Sequence, residues 1–207
     1  MKVYNEFIKR IWPGLGKNEL RLCMILLDIC KKSDYVIDKA DIYKHPLITN
    51  TLRQHFSKIA KNITYENDKI ICDKYNKEPV KKYTLFHEIT IEQFKIHVRI
   101  DEKLFSYFKR TGYAEISTSL FEKFDHVYET KFILWFKTWE MKKEQEATIE
   151  YLKTLMNKQY KTPEFITTCI KPVIYKLMAD GLEIKITRIP NKNDKRVLDS
   201  LHFKVVN

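Results

Sequence analysis

The apolar spacing of one segment recurs 114 residues further along the chain, and this repeat constrains the fold more than any other feature. Leu52, Phe56, Ile59 and Ile63 step by four, three and four positions, and Ile166, Ile170, Val173 and Leu177 step by the same intervals. Such steps set side chains on one stripe of an α-helix, and a helix of that kind is stable only when the stripe is covered. Upstream of each copy lies another apolar helix. Residues 17–32, KNELRLCMILLDICKK, line up Leu20, Cys23, Met24, Leu27 and Cys30, with basic residues closing the last turn. Residues 128–142, YETKFILWFKTWEMK, repeat the design with Phe132, Leu134, Trp135, Phe136 and Trp139. Downstream of each copy the period switches from helical to alternating: KIICDKY, KKYTLFHEI and EQFKIHVRI in the first half, LEIKITRIP and RVLDSLHFKVV in the second.

Helices followed by a hairpin describe a winged helix. The expected fold class is therefore α+β, with two tandem winged-helix domains, each a helix-turn-helix unit with a β-hairpin wing. A chain of 207 residues is long enough for two cores of roughly 100 residues each. The expected domains are 1–126 and 127–207, with no flexible linker, because no Gly/Ser-rich or Pro-rich run separates the halves. Residues 101–110, DEKLFSYFKR, read as a short helix, and YAEISTSLFEKF as irregular or 3₁₀ structure leading into the second unit.

The formal net charge of +11 and the sequence pI near 9.3 point to a polyanionic partner. The four cysteines, Cys23, Cys30, Cys72 and Cys169, have no C-x-x-C spacing and read as buried free thiols. No apolar run approaches the ~20 residues that span a bilayer, and MKVYNEFIKR lacks a signal-peptide apolar region, so a cytoplasmic location is expected. The sequence holds no enzyme constellation. GLGK, Gly14 to Lys17, is too short for a phosphate loop and reads as a turn before the first helix. His45, His55, His87, His97, His126 and His202 never adopt the paired spacing that would hold a metal beside a tyrosine nucleophile. No catalytic residue, metal site or cofactor is expected.

DNA recognition finds more support. In a helix-turn-helix unit the second helix lies in the major groove with its N-terminal residues facing base edges. In KTPEFITTCIKPVIYKL, Thr162 is the expected N-cap, Pro163 the first helical residue and Gly181 the stop, and Glu164, Thr167, Thr168, Lys171 and Tyr175 face away from the apolar stripe. Thr167, Thr168, Lys171 and the preceding Lys161 are candidate contacts: a threonine offers a hydroxyl and a methyl, a lysine reaches phosphate or guanine O6/N7. The expected wing tip NKNDK adds Arg188, Lys192, Lys195 and Arg196, which would displace counterions along a duplex. The matching outer face of the first unit carries Arg53, Gln54, Ser57, Lys58 and Lys61, with Lys81 and Lys82 on its wing. Pro172 sits uncomfortably in mid-helix.

Tyr160, the run FITTCIKPVIYKL, EIKIT and KRVLDSLHFKVV together resemble the C-terminal winged helix of iteron-binding plasmid replication initiator (Rep) proteins, whose recognition helix carries a proline where this chain has Pro172. YAEISTSLFEKFDHVYETKFILWFKTWE resembles the family segment entering that domain, so the resemblance covers most of 100–207 and, more weakly, 17–100. This chain departs from the pattern at Ile166, Thr167 and Thr168, where the family is usually basic, and at Asn193 to Val197, which replace a glycine-led turn; Lys171, Lys195 and Arg196 carry over. The resemblance implies a sequence-specific initiator that binds direct repeats at a plasmid origin and helps open the duplex. It also implies recruitment of host replication proteins such as DnaA or the helicase, monomer and homodimer forms, and repression of its own gene. The first unit would dimerise, through the strands around residues 81–100, and add auxiliary DNA contact; the second would be the main reader. The alternatives are a winged-helix transcriptional regulator or a replisome or phage scaffold protein without initiator activity.

Overall fold

The computed structural model describes residues 2–4, 15–65, 85–110, 112–116 and 122–206. Gly14, Cys72, the strand expected over 69–75 and the wing residues Lys81 and Lys82 lie outside these. The chain divides into two compact units, Met1–Lys123 and Phe124–Asn207, each with its own sheet and core.

In the first unit α1 (Lys17–Ile29) is the central helix, and Leu20, Leu22, Cys23, Met24, Ile25, Leu26 and Leu27 are all buried. The single stripe expected from spacing is thus too narrow: a helix that is apolar all round is enclosed all round. The basic residues expected in its last turn fall outside the helix, at Lys31 and Lys32. The Glu19 carboxylate accepts the Gly16 N–H at the helix start and the Asn62 side-chain N–H at 3.2 Å, so one acid caps α1 and fastens a second helix to it. Then follow β2 (Asp34–Asp38), α2 (Lys39–Lys44), α3 (Asn50–Gln54), α4 (Phe56–Tyr65), β3 (Phe86–Ile91), β4 (Lys95–Ile100), α5 (Glu102–Arg110) and β5 (Tyr113–Glu115). β5 pairs with β1 (Lys2–Tyr4), a strand the sequence pattern did not signal. The helix expected over TLRQHFSKIAKNI is broken at His55 into α3 and α4, while Leu52, Phe56, Ile59 and Ile63 remain buried on one side of both.

The second unit runs α6 (Val127–Lys137), a 3₁₀ turn (Glu140–Lys142), β6 (Glu144–Thr148), α7 (Ile149–Met156), α8 (Thr162–Phe165), a π-helical turn (Ile166–Ile170), α9 (Lys171–Ala179), β7 (Ile184–Pro190) and β8 (Leu198–Val205). Its core is aromatic: Phe203 on β8 meets Phe132, Trp135 and Trp139 at centroid distances of 5.8, 5.5 and 6.2 Å. α9 ends at Gly181, whose φ of +89° is natural only to a residue without Cβ. There Gly181 N–H donates to Met178 O and Leu182 N–H to Leu177 O, closing the helix with the paired backbone bonds of a Schellman turn.

Both units share one order of elements: helix, strand, helix, a further helical segment, then two strands of a hairpin. Both sheets place the first strand beside the last, as β2-β4-β3 and β6-β8-β7, all antiparallel. Spacing did not reveal β2 and β6, because DYVID and EQEAT are short and held as strands by pairing with β4 and β8 rather than by their own pattern. Among the described residues no helix is long and apolar enough to cross a membrane.

Candidate nucleic-acid interface

The exposed side of α8 and α9 is built by what it leaves behind. Phe165, Ile166, Cys169, Ile170, Val173, Ile174 and Leu177 are buried, which turns Glu164, Thr167, Thr168, Lys171 and Tyr175 outward. The start differs by one residue from expectation. Lys161, in extended backbone, is the N-cap and Thr162 the first helical residue, and the Thr162 hydroxyl is engaged by Lys153 Nζ at 3.3 Å. Pro163 at the next position removes an N–H that has no partner inside the helix anyway.

The π-turn accounts for Pro172. In a regular α-helix residue 172 would donate to the carbonyl four positions back, and a proline ring there would instead press against that oxygen. Here Lys171 N–H reaches back five positions to Ile166 O. The coil ahead of the proline is widened by one residue, and the hydrogen-bond ladder passes the position that cannot donate. The same turn distinguishes the two threonines. Thr167 Oγ1 donates to Pro163 O at 2.6 Å, so its proton is spent inside the helix and only its methyl and lone pairs face out. Among the described residues Thr168 makes no such bond, leaving its hydroxyl able both to donate and to accept. Tyr175, 63% exposed, continues the face toward the C-terminus.

The hairpin of β7 and β8 projects past the end of β6. β6 pairs as far as Thr148 opposite Ser200, whereas β7 and β8 continue to Pro190 opposite Leu198. The tip is ordered by side chains: Asn191 Oδ1 accepts the N–H groups of Asn193 and Asp194 at 2.8 and 3.3 Å, and Asn191 N–H donates to Val197 O at 2.7 Å. Arg188, Lys192, Lys195 and Arg196 are exposed. Arg196 is exposed but has a local partner. Its Nε and Nη2 bond Asp194 at 3.1 and 3.3 Å, and that pairing holds the Asp194 carboxyl below the usual range. Among the described residues no carboxylate comes within ion-pair distance of Arg188, Lys192 or Lys195. No hydrogen bond or ion pair joins these hairpin residues to Lys161, Thr167, Thr168 or Lys171.

In the first unit Arg53, Gln54, Ser57, Lys58 and Lys61 are exposed along α3 and α4. Arg53 is partly committed: Nη2 donates to Tyr43 O at 3.0 Å and the guanidinium lies 5.0 Å from the Tyr43 ring centre. The hairpin of β3 and β4 turns tightly through Gln93 and Phe94 between Glu92 and Lys95, so the tip carries one charge of each sign, and Phe94 is 71% exposed.

Spacing also missed an ion pair between a buried acid and a partly exposed lysine that seats α9. Glu129, 2% exposed in the first turn of α6, accepts the His126 N–H at 3.2 Å and two hydrogen bonds from Lys176 Nζ at 2.9 and 3.0 Å. It looks like an ordinary solvated Glu in a charged stretch, and only the fold brings Lys176 to it. Four histidines pair singly with acids: His45 with Asp28, His87 with Asp101, His97 with Asp34 and His202 with Glu144. Among the described residues no three His, Cys, Asp or Glu side chains gather as a metal site would require.

No protein-family model matches the chain, and no curated protein matches it in sequence. Among solved structures it is similar to that of the Pi initiator protein in complex with iteron DNA, with a TM-score of 0.67 over 99% of this chain and 94% of that chain, at 13% sequence identity. At that identity the likeness is one of fold: helices and small antiparallel sheets arranged as in that protein.

Proposed function

We propose that this protein is a plasmid replication initiator that binds double-stranded DNA at origin direct repeats, through two tandem winged helices, and acts without catalysis or cofactor. The second unit is the main reader. Thr168 from the π-helical turn and Lys171 from the start of α9 face the major groove, where a hydroxyl, a methyl and an ammonium can discriminate base edges. Lys192 and Lys195 at the hairpin tip, with Arg188 on its strand, neutralise backbone phosphates. The first unit adds contacts from Arg53, Gln54, Ser57, Lys58 and Lys61 and provides a dimer surface on its strands. Opening of the duplex and recruitment of host replication proteins follow from the initiator reading.

The observation that carries this reading is the combination, in one unit, of an exposed polar helix face bearing Thr168 and Lys171 and a projecting hairpin whose Lys192 and Lys195 have no acidic partner among the described residues, on a fold shared with a protein solved on iteron DNA. Gel shifts against duplexes bearing the direct repeats and against scrambled duplexes, over a salt series, test it. Preference for the repeats by roughly 10³-fold or more is expected. Thr168→Ala should narrow that preference, and equal binding of both duplexes would sink the reading. A transcriptional regulator would use the same surfaces. Supplying the gene on a plasmid that lacks an initiator separates the two, since only an initiator maintains the plasmid.

A further inference from the structure

Behind the N-terminal end of the reading helix lies a cation held by aromatic rings. α7 ends at Asn157, whose left-handed backbone (φ 51°) turns the chain so that Lys158 leaves the helix axis. Lys158 Nζ lies 4.7 Å from the ring centre of Tyr128 and 5.7 Å from that of Tyr160. His126 stacks on Tyr128 at 5.3 Å with 10° between the planes. Burial pushes the thiol of Cys169 up, and the charge of Lys158 opposes it.

An ammonium seated between two rings differs from an ordinary surface lysine. Attraction to the two ring faces restricts its rotamers, so less entropy remains to be lost when it meets an anion. They do not neutralise it: among the described residues no carboxylate lies within ion-pair distance of Lys158, and neither tyrosine hydroxyl has a hydrogen-bond partner. Three residues on from the half-buried Lys158, Lys161 at the N-cap of α8 is exposed and, among the described residues, without an acidic partner. Two cations and two phenolic donors thus meet where the chain enters the reading helix.

We propose that Lys158, held by Tyr128 and Tyr160, is a preformed clamp for a backbone phosphate of the DNA strand that borders the groove occupied by α8 and α9. The proposal rests on the DNA-binding reading above and adds a contact on the side of the helix away from the wing-tip lysines in sequence. The clamp reads no base; it fixes register, so that Thr168 and Lys171 meet the same base pairs each time.

The test is the salt dependence of binding by the full chain, with repeat-bearing and scrambled duplexes. Lys158→Gln should flatten the slope of log K against log salt by about 0.9, the release expected for one phosphate contact. It should weaken binding to both duplexes by the same factor, on the order of tenfold. Lys158→Arg should restore the slope. Tyr160→Ala should leave the slope in place, since the charge remains, yet weaken binding several-fold, and Tyr160→Phe should lose less because the ring remains. Replacing single phosphates by methylphosphonates should reveal one position to which the wild type is sensitive and Lys158→Gln is not. If the wild type shows no salt-dependent binding to duplex DNA, the DNA-binding reading itself fails. If the wild type binds and Lys158→Gln, shown folded by circular dichroism, matches it in slope and affinity, the clamp alone is overturned.

Discussion

The two units share an apolar plan and differ in where they carry charge. Leu52, Phe56, Ile59 and Ile63 in one, and Ile166, Ile170, Val173 and Leu177 in the other, are buried in the same rhythm. On the outer side the first unit puts Arg53, Lys58 and Lys61 along its helices and ends its hairpin in a tight turn flanked by Glu92 and Lys95. The second has a sparser helix face, with Glu164 beside the threonines, and moves its lysines to a long hairpin tip. The lesson is that the buried stripe sets the scaffold while the exposed residues are free to diverge, so matching cores do not require matching surfaces.

Equivalent core truncations give the largest effect and test whether the scaffold is held alike. Phe56→Ala and its counterpart Ile170→Ala should each destabilise their unit by about 2–5 kcal/mol, read by chemical denaturation. A loss below about 1 kcal/mol at either site would show that the two stripes are not equivalent. In the first unit Arg21 is the buried cation of α1, and in the second Lys131 takes that place. Buried in α6, its ammonium is held by desolvation at about 8, below the usual 10.5. The folded state therefore disfavours the charged form: the full penalty applies below about pH 8 and fades as pH rises toward 10.5. Lys131→Met should stabilise the protein at pH 7 by about 1–3 kcal/mol, and the difference from wild type should shrink to nothing near pH 10.5. A gain independent of pH would point to packing instead.

The difference in charge placement is tested by paired binding measurements. Lys192→Gln with Lys195→Gln should flatten the salt slope by about two, and Lys58→Gln with Lys61→Gln by less if the second unit leads. The reverse order would exchange the roles of the units. Pro172→Ala returns an N–H to position 172. The π-turn should then relax toward regular helix, protecting that amide from hydrogen exchange and reducing preference among sequences more than overall affinity. The smallest effect is expected of Asp194→Asn, which frees Arg196 and should strengthen binding only a few-fold, with a steeper salt slope.

Much of this was legible in the sequence because it depends on local period. The mixture of helices and hairpin strands, the stripes and the stop at Gly181 follow from spacing and from one residue without Cβ. What spacing hid depends on partners distant in the chain or on backbone bonding. EQEAT becomes a strand only beside β8, Glu129 meets a lysine 47 positions away, and Arg196 is claimed by an aspartate two residues before it. Pro172 signalled a disturbance, but a proline alone does not say whether a helix kinks, ends or widens. The bond of Thr167 is hidden for a similar reason, since nothing in FITTC distinguishes the threonine that bonds back to Pro163.

The closure at Gly181 carries a mechanical consequence. Only Leu182 and Glu183 separate it from β7, and Val206 N–H donates to Glu183 O, so this short joint is tied at both ends. Helix and hairpin therefore have little slack between them. Whatever tilts the one should swing the other like the two arms of a bell crank, turning a small rotation at Thr168 into a larger sweep of Lys195.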